Sequence, residues 1–151
     1  MDMIFKLIAG FFCAAGFSVM FNMPRKLIAC AGVSGVAAIL PYLLIIQSGG
    51  GLIVAAIAGS IAVGLTAEFF AARTKNPSSL FTIPGIIPLV PGYSLYYAML
   101  YLVQNDVDLA AQKGAEAAIT AISIACGIAV SMSLKREFTA LKERNALKRQ
   151  R

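Results

Sequence analysis

The stretch Asn76-Pro77-Ser78-Ser79-Leu80-Phe81-Thr82-Ile83-Pro84-Gly85-Ile86-Ile87-Pro88-Leu89-Val90-Pro91-Gly92-Tyr93-Ser94 holds four of the chain's six prolines. Pro84, Pro88 and Pro91 are spaced four and three apart, so on a helix they share one face. Each lacks an N–H and clashes with the carbonyl four residues back. On a continuous helix the carbonyls of Leu80, Pro84 and Ile87 would lose their partners. Hydrocarbon offers no replacement, so such backbone is tolerated at membrane depth only when buried in protein or lining a wet cavity. Free carbonyls attract cations and a half-helix N-terminus attracts anions. Here the second half-helix would start at Gly92-Tyr93-Ser94, with Tyr93, Ser94, Tyr96 and Tyr97 bringing hydroxyls beside the break. The competing reading is a merely kinked structural helix, or a proline-rich turn at the membrane interface.

Glu68 is the acid placed well inside an apolar run. An intramembrane carboxylate is by default a functional-site hypothesis, able to hold a proton or a substrate ammonium. It also lies five residues before Arg73, about 7 Å along a helix, and pairing with Arg73 or Lys75 at the interface is the alternative. The sequence has no His, which excludes histidine triads and imidazole acid–base catalysis. Cys13, Cys30 and Cys126 fall in separate apolar runs and fit neither a disulfide framework nor a metal cluster, so they are expected to be buried packing residues. Neither a phosphate loop nor a nucleophile–base pair is visible, and neither a cofactor nor enzymatic activity is expected.

The elements that must position these residues follow from composition. The chain is 59% hydrophobic and 13% charged, with a mean hydropathy of +0.80. Soluble domains carry about 25% charge, and a chain this small could not hide so much apolar surface. Runs at 4–21, 27–46, 52–72, 80–103 and 114–134 each reach, or nearly reach, the roughly 20 residues a membrane helix needs. The expected fold is all-α, an integral membrane protein of five transmembrane helices with the fourth broken by prolines. Residues 1–134 would form one membrane domain and 135–151 a basic cytoplasmic tail. The first run reads as a span rather than a cleaved leader, because Asp2 nearly cancels Lys6 and the apolar stretch is long.

The net charge of +6 is distributed for topology, not for nucleic acid. If five helices alternate, 11 of 13 basic residues fall on one side: Arg25, Lys26, Arg73, Lys75 and seven in the tail. Positive charge stays cytoplasmic, which puts the N-terminus outside and the C-terminus inside. The tail would lie against anionic lipid headgroups or contact a partner subunit. Helices in lipid associate through small residues. The ladder Ala117, Ala121, Ala125, Ala129 and Ser133 and the row Ala56, Ser60 and Gly64 are therefore expected contact faces, within the chain or between chains. Ser48-Gly49-Gly50-Gly51 reads as a tight outside turn.

The run from Phe81 to Gly92, with its Pro-Leu-Val-Pro-Gly core and following tyrosines, resembles the threonine/serine exporter family. The early stretch Gly16-Phe17-Ser18-Val19-Met20-Phe21-Asn22-Met23-Pro24 agrees. The whole chain looks like the family's small-subunit type, which corresponds to the C-terminal half of the full-length exporter. That resemblance implies secondary transport in the cytoplasmic membrane, with proton-coupled export of threonine, serine or a related small organic acid such as a dicarboxylate. It also implies a larger membrane partner subunit, with a homo-oligomer possible in addition. The family's proline-rich motif maps onto Pro84, Gly85, Pro88, Pro91 and Gly92; with Glu68, Tyr93, Ser94 and Tyr97 these form the expected substrate pathway. A non-transporting assembly or regulatory subunit is the alternative.

Overall fold

The computed structural model describes residues 2–149, with side chains over 3–134. It is helical throughout, with no strand among the described residues: α1 Asp2–Met20, α2 Ile28–Gln47, α3 Leu52–Thr74, α4 Ser79–Ile86, α5 Gly92–Val103 and α6 Val107–Arg149. Single 3-10 turns at Arg25–Leu27 and Ile87–Leu89 precede α2 and follow α4. The basic tail, 135–151, lies outside the residues whose side chains are described.

Local chemistry explains where the helices stop. Asn22, Gly49, Lys75 and Asn105 all have positive φ, and they follow the ends of α1, α2, α3 and α5. Left-handed residues at that position close helices, and Gly and Asn tolerate it best. At α2 the Gly50 N–H returns to the Ile45 carbonyl at 2.8 Å and Gly49 N–H to Ile46 at 3.2 Å. The same pair of bonds forms at Met23/Asn22 and at Asp106/Asn105. The glycine turn after α2 is thus a helix stop. The last helix begins at Val107 rather than at Gly114, because Asp106 caps it: its Oδ1 accepts the Leu109 N–H at 3.2 Å.

Four helices are each long and apolar enough to cross a membrane: Met3–Met20, Arg25–Gln47, Leu52–Thr74 and Val107–Leu134. A fifth crossing exists if Ser79–Leu89 and Gly92–Val103, bent by 50° at their junction, count as one. Outward faces carry large apolar side chains, with Phe5 75%, Phe12 68% and Val103 79% exposed. A water-soluble surface does not sustain apolar exposure on this scale; lipid does.

Packing brings α2 against α1 and α3, and α3 against α6. The short α4 inserts against α2, α3 and α1, whereas α5 turns away to pack on α6. The row Ala56, Ser60 and Gly64 is buried. A Cβ added at Gly64 would collide with Ser131, and one at Gly127 with Ser60 and the Ile57 carbonyl, so α3 and α6 cross at backbone contact. The expected α6 ladder is not the face that makes this crossing. Ala117 is buried, but Ala121, Ala125, Ala129 and Ser133 are exposed, and the inward face is Thr120, Ser123, Ile124, Gly127 and Ser131. Helix α3 selects the face one step round, where Gly127 lets the axes approach most closely. Cys13 and Cys30 are half-buried, but Cys126 is exposed on the outer side of α6, not buried as expected; its neighbour Gly127 takes the inward position.

Candidate functional site

The chain leaves helical geometry at Val90-Pro91. Pro84 sits inside α4 and Pro88 inside the following 3-10 turn, so both are accommodated in helical backbone. The turn also satisfies one carbonyl expected to be lost, because Val90 N–H donates to Ile87 O at 3.1 Å. Val90 has extended backbone, its carbonyl accepts from Gly92 N–H at 2.7 Å, and Pro91 stands at the N-cap of α5. No side chain caps α5. The first N–H groups of a helix have no intrahelical partner, so the α5 start presents a positive dipole end.

A cavity of about 290 Å³ opens at this junction. Pro88, Leu89, Val90, Pro91, Gly92, Tyr93 and Ser94 form one wall, Tyr42 of α2 and Leu52 of α3 flank it, and Glu116 and Thr120 of α6 close it. Pro88 and Tyr42 also line a second, more apolar cavity of about 330 Å³ between α1 and α2, with Lys6 at its edge. The pair therefore forms the partition between two hollows.

The polar chemistry of the first cavity centres on Glu116. Buried Ser94 donates its hydroxyl to Glu116 Oε1 at 2.9 Å, and Lys113 Nζ donates to Oε2 at 2.7 Å. Lys113 also lies 5.9 Å from the Tyr93 ring centroid, within cation–π range. Tyr93, Tyr97 and Tyr101 stack along α5 at 4.4 and 6.0 Å. Most other buried hydroxyls bond only to their own helix: Ser18 to Ala14 O, Ser60 to Ala56 O, Thr120 to Glu116 O and Ser123 to Ile119 O. That is how membrane helices hide Ser and Thr. Ser94 instead reaches across to another helix's carboxylate.

Of the residues expected in a substrate pathway, Pro88, Pro91, Gly92, Tyr93 and Ser94 line this cavity. Pro84 and Gly85 are buried packing positions one turn earlier; a Cβ on Gly85 would meet Val63 and Ser34. Tyr97 lies behind Tyr93 in the aromatic stack. Glu68 is not among the lining residues. Leu52, the α3 residue that lines the cavity, lies sixteen residues before it, about 24 Å by helix rise. The acid beside the break is Glu116. Lys113 three residues before it and Thr120 four after share its helix face, the pattern that marks it within the last apolar run.

A family model described as "Threonine/Serine exporter, ThrE" matches residues 6–134. A probable threonine/serine exporter of Mycobacterium tuberculosis is 30% identical over 70% of this chain and 20% of its own length. A threonine/serine exporter of Corynebacterium glutamicum is 31% identical over 82% of this chain and 25% of its own length. An uncharacterised protein of Haemophilus influenzae is 26% identical over 68% of this chain and 33% of its length. The chain thus spans a fifth to a third of these relatives. No solved structure matches it. With its apolar helices and this match over nearly the whole chain, the protein is a multi-pass membrane protein that belongs to the threonine/serine exporter family.

Proposed function

We propose that the chain is a membrane subunit of a secondary transporter that exports threonine, serine or a related small organic acid across the cytoplasmic membrane. The observation that carries this reading is the family match over residues 6–134. The relatives named as exporters are three or more times longer, so in this reading a larger partner subunit supplies the remaining machinery. The helices cross five times, α4 and α5 together making one crossing bent at Val90-Pro91. The basic loops at Arg25-Lys26 and Arg73-Lys75 lie in the cytoplasm with the C-terminus.

The cavity at the break is where the solute rests on its way. Pro91 keeps the two half-helices from closing into one, and irregular backbone there is tolerable because it lines a hollow that also holds Ser94, Glu116 and Thr120. The exposed Ala121, Ala125, Ala129 and Ser133 supply a small-residue face for the partner. Coupling to protons is part of the proposal.

Export is the test. Cells expressing this chain together with a candidate partner, sought in the neighbouring reading frame, should release threonine or a dicarboxylate faster than cells expressing either chain alone. Release that is independent of this chain sinks the reading and leaves the assembly-subunit alternative.

A further inference from the structure

We propose that the cavity at the Val90-Pro91 break binds the zwitterionic head of an α-amino acid, Glu116 taking its ammonium and Lys113 its carboxylate. This rests on the exporter reading above and adds to it the chemical class of ligand and the residues that select it.

The resting geometry already resembles the bound state. Ser94 fixes Glu116 through Oε1, and the second oxygen, Oε2, holds the Lys113 ammonium. Glu116 lines the cavity, so an arriving ammonium reaches the same carboxylate. It displaces Lys113 from Oε2 and replaces one cation by another. The released Lys113 meets the ligand's carboxylate. Two ion pairs then stand where one stood, and no charge is left unpaired, at a pair whose two side chains are 29% and 33% exposed and so within reach of an arriving solute. The uncapped start of α5 favours the carboxylate on the same side. Gly92 has no atom within 4 Å of an added Cβ, so a ligand can approach the backbone there.

Size and charge restrict the ligand. A volume of about 290 Å³ lies at the lower end for ligand pockets and suits a small solute. A dicarboxylate would bring a second anion toward Glu116 and nothing to balance it. An amino acid satisfies both signs.

The test is equilibrium binding to the full-length chain in nanodiscs, with radiolabelled L-threonine and succinate, beside export from cells carrying the wild-type system. Wild-type chain should bind threonine and prefer it to succinate. N-acetyl-L-threonine, which lacks the ammonium, and L-threonine methyl ester, which lacks the carboxylate, should each compete at least about tenfold more weakly, the scale of one charge-assisted hydrogen bond. Glu116→Gln should weaken threonine by a similar factor without weakening succinate, a change of preference that misfolding cannot produce; Asp108→Asn, on the exposed first turn of α6, should change neither. Competition by N-acetyl-L-threonine equal to threonine's overturns the site even if no variant folds. So does a wild type that exports threonine but binds only succinate or neither compound, or a Glu116→Gln protein that binds threonine as before. A wild-type system that exports neither compound overturns the exporter reading itself.

Discussion

Gly59 ties the stability of the bundle to the shape of the cavity, and replacing it with Ala separates packing from helix propensity. An ideal Cβ at Gly59 stands 2.6 Å from the Ala38 carbonyl oxygen and 3.1 and 3.3 Å from the two Leu89 methyls. The leucine methyls can give way; the carbonyl belongs to the backbone of α2 and cannot move without shifting that helix. Overpacking of this kind costs about 1–3 kcal/mol, while Gly to Ala inside a helix returns about 1 kcal/mol. The net expectation for Gly59→Ala is a loss of roughly 0–2 kcal/mol. Gly16 is the internal control: nothing lies within 4 Å of its added Cβ, so Gly16→Ala should stabilise by up to about 1 kcal/mol. The gap between the two variants isolates the packing cost, and at about 2–4 °C per kcal/mol it should read as roughly 2–12 °C in apparent Tm. Thermal melts of detergent-purified protein followed by size-exclusion chromatography measure it. If both variants melt at the same temperature, or Gly59→Ala melts higher, α2 and α3 do not cross as tightly as described and Leu89 is not pinned by that crossing.

A reporter fused at the C-terminus should read cytoplasmic and one in the 104–106 connection external; two reporters on one side would exclude five crossings. Pro91→Ala, which restores an N–H at the break itself, should reduce export more than Pro84→Ala, since Pro84 already lies within α4; equal export rates at matched protein levels would remove Pro91 from the mechanism. Ala125→Phe, on the exposed face of α6, should reduce co-purification with the partner while leaving the chain's own melting temperature within about 2 °C, because exposed substitutions rarely exceed about 0.5 kcal/mol; undiminished co-purification would move the partner to another face. Glu68→Gln should lower export less than Glu116→Gln in the same transport assay, and the reverse order would put Glu68 in the path.

The existence of the apolar helices was legible from the residues alone, though not every limit: the last begins at Val107, seven residues before the apolar run at 114–134. A run near 20 apolar residues has few options in a bilayer other than a helix, and the Ser48-Gly49-Gly50-Gly51 turn announces the stop after α2, where Gly49 takes left-handed backbone; the stops at Asn22, Lys75 and Asn105 came only with the structure. The proline cluster lies where α4 ends and α5 begins, with Pro84 and Pro88 held in helical backbone and Pro91 at the start of α5. What the residues could not decide is which side of each helix faces inward. Lipid is as apolar as Leu, so hydrophobic periodicity carries no inward signal and small residues occur on several faces at once. Helix α3 therefore had to choose between two small-residue faces of α6, and it took the one containing Gly127, leaving the regular alanine ladder outside. The same rotation of α6 turns Glu116 toward Ser94 and the break, while the course of α3 carries Glu68 away from it. A carboxylate's position in an apolar run sets only its approximate depth. Its partner is set by how the helices rotate and cross, and that is a property of the packed bundle.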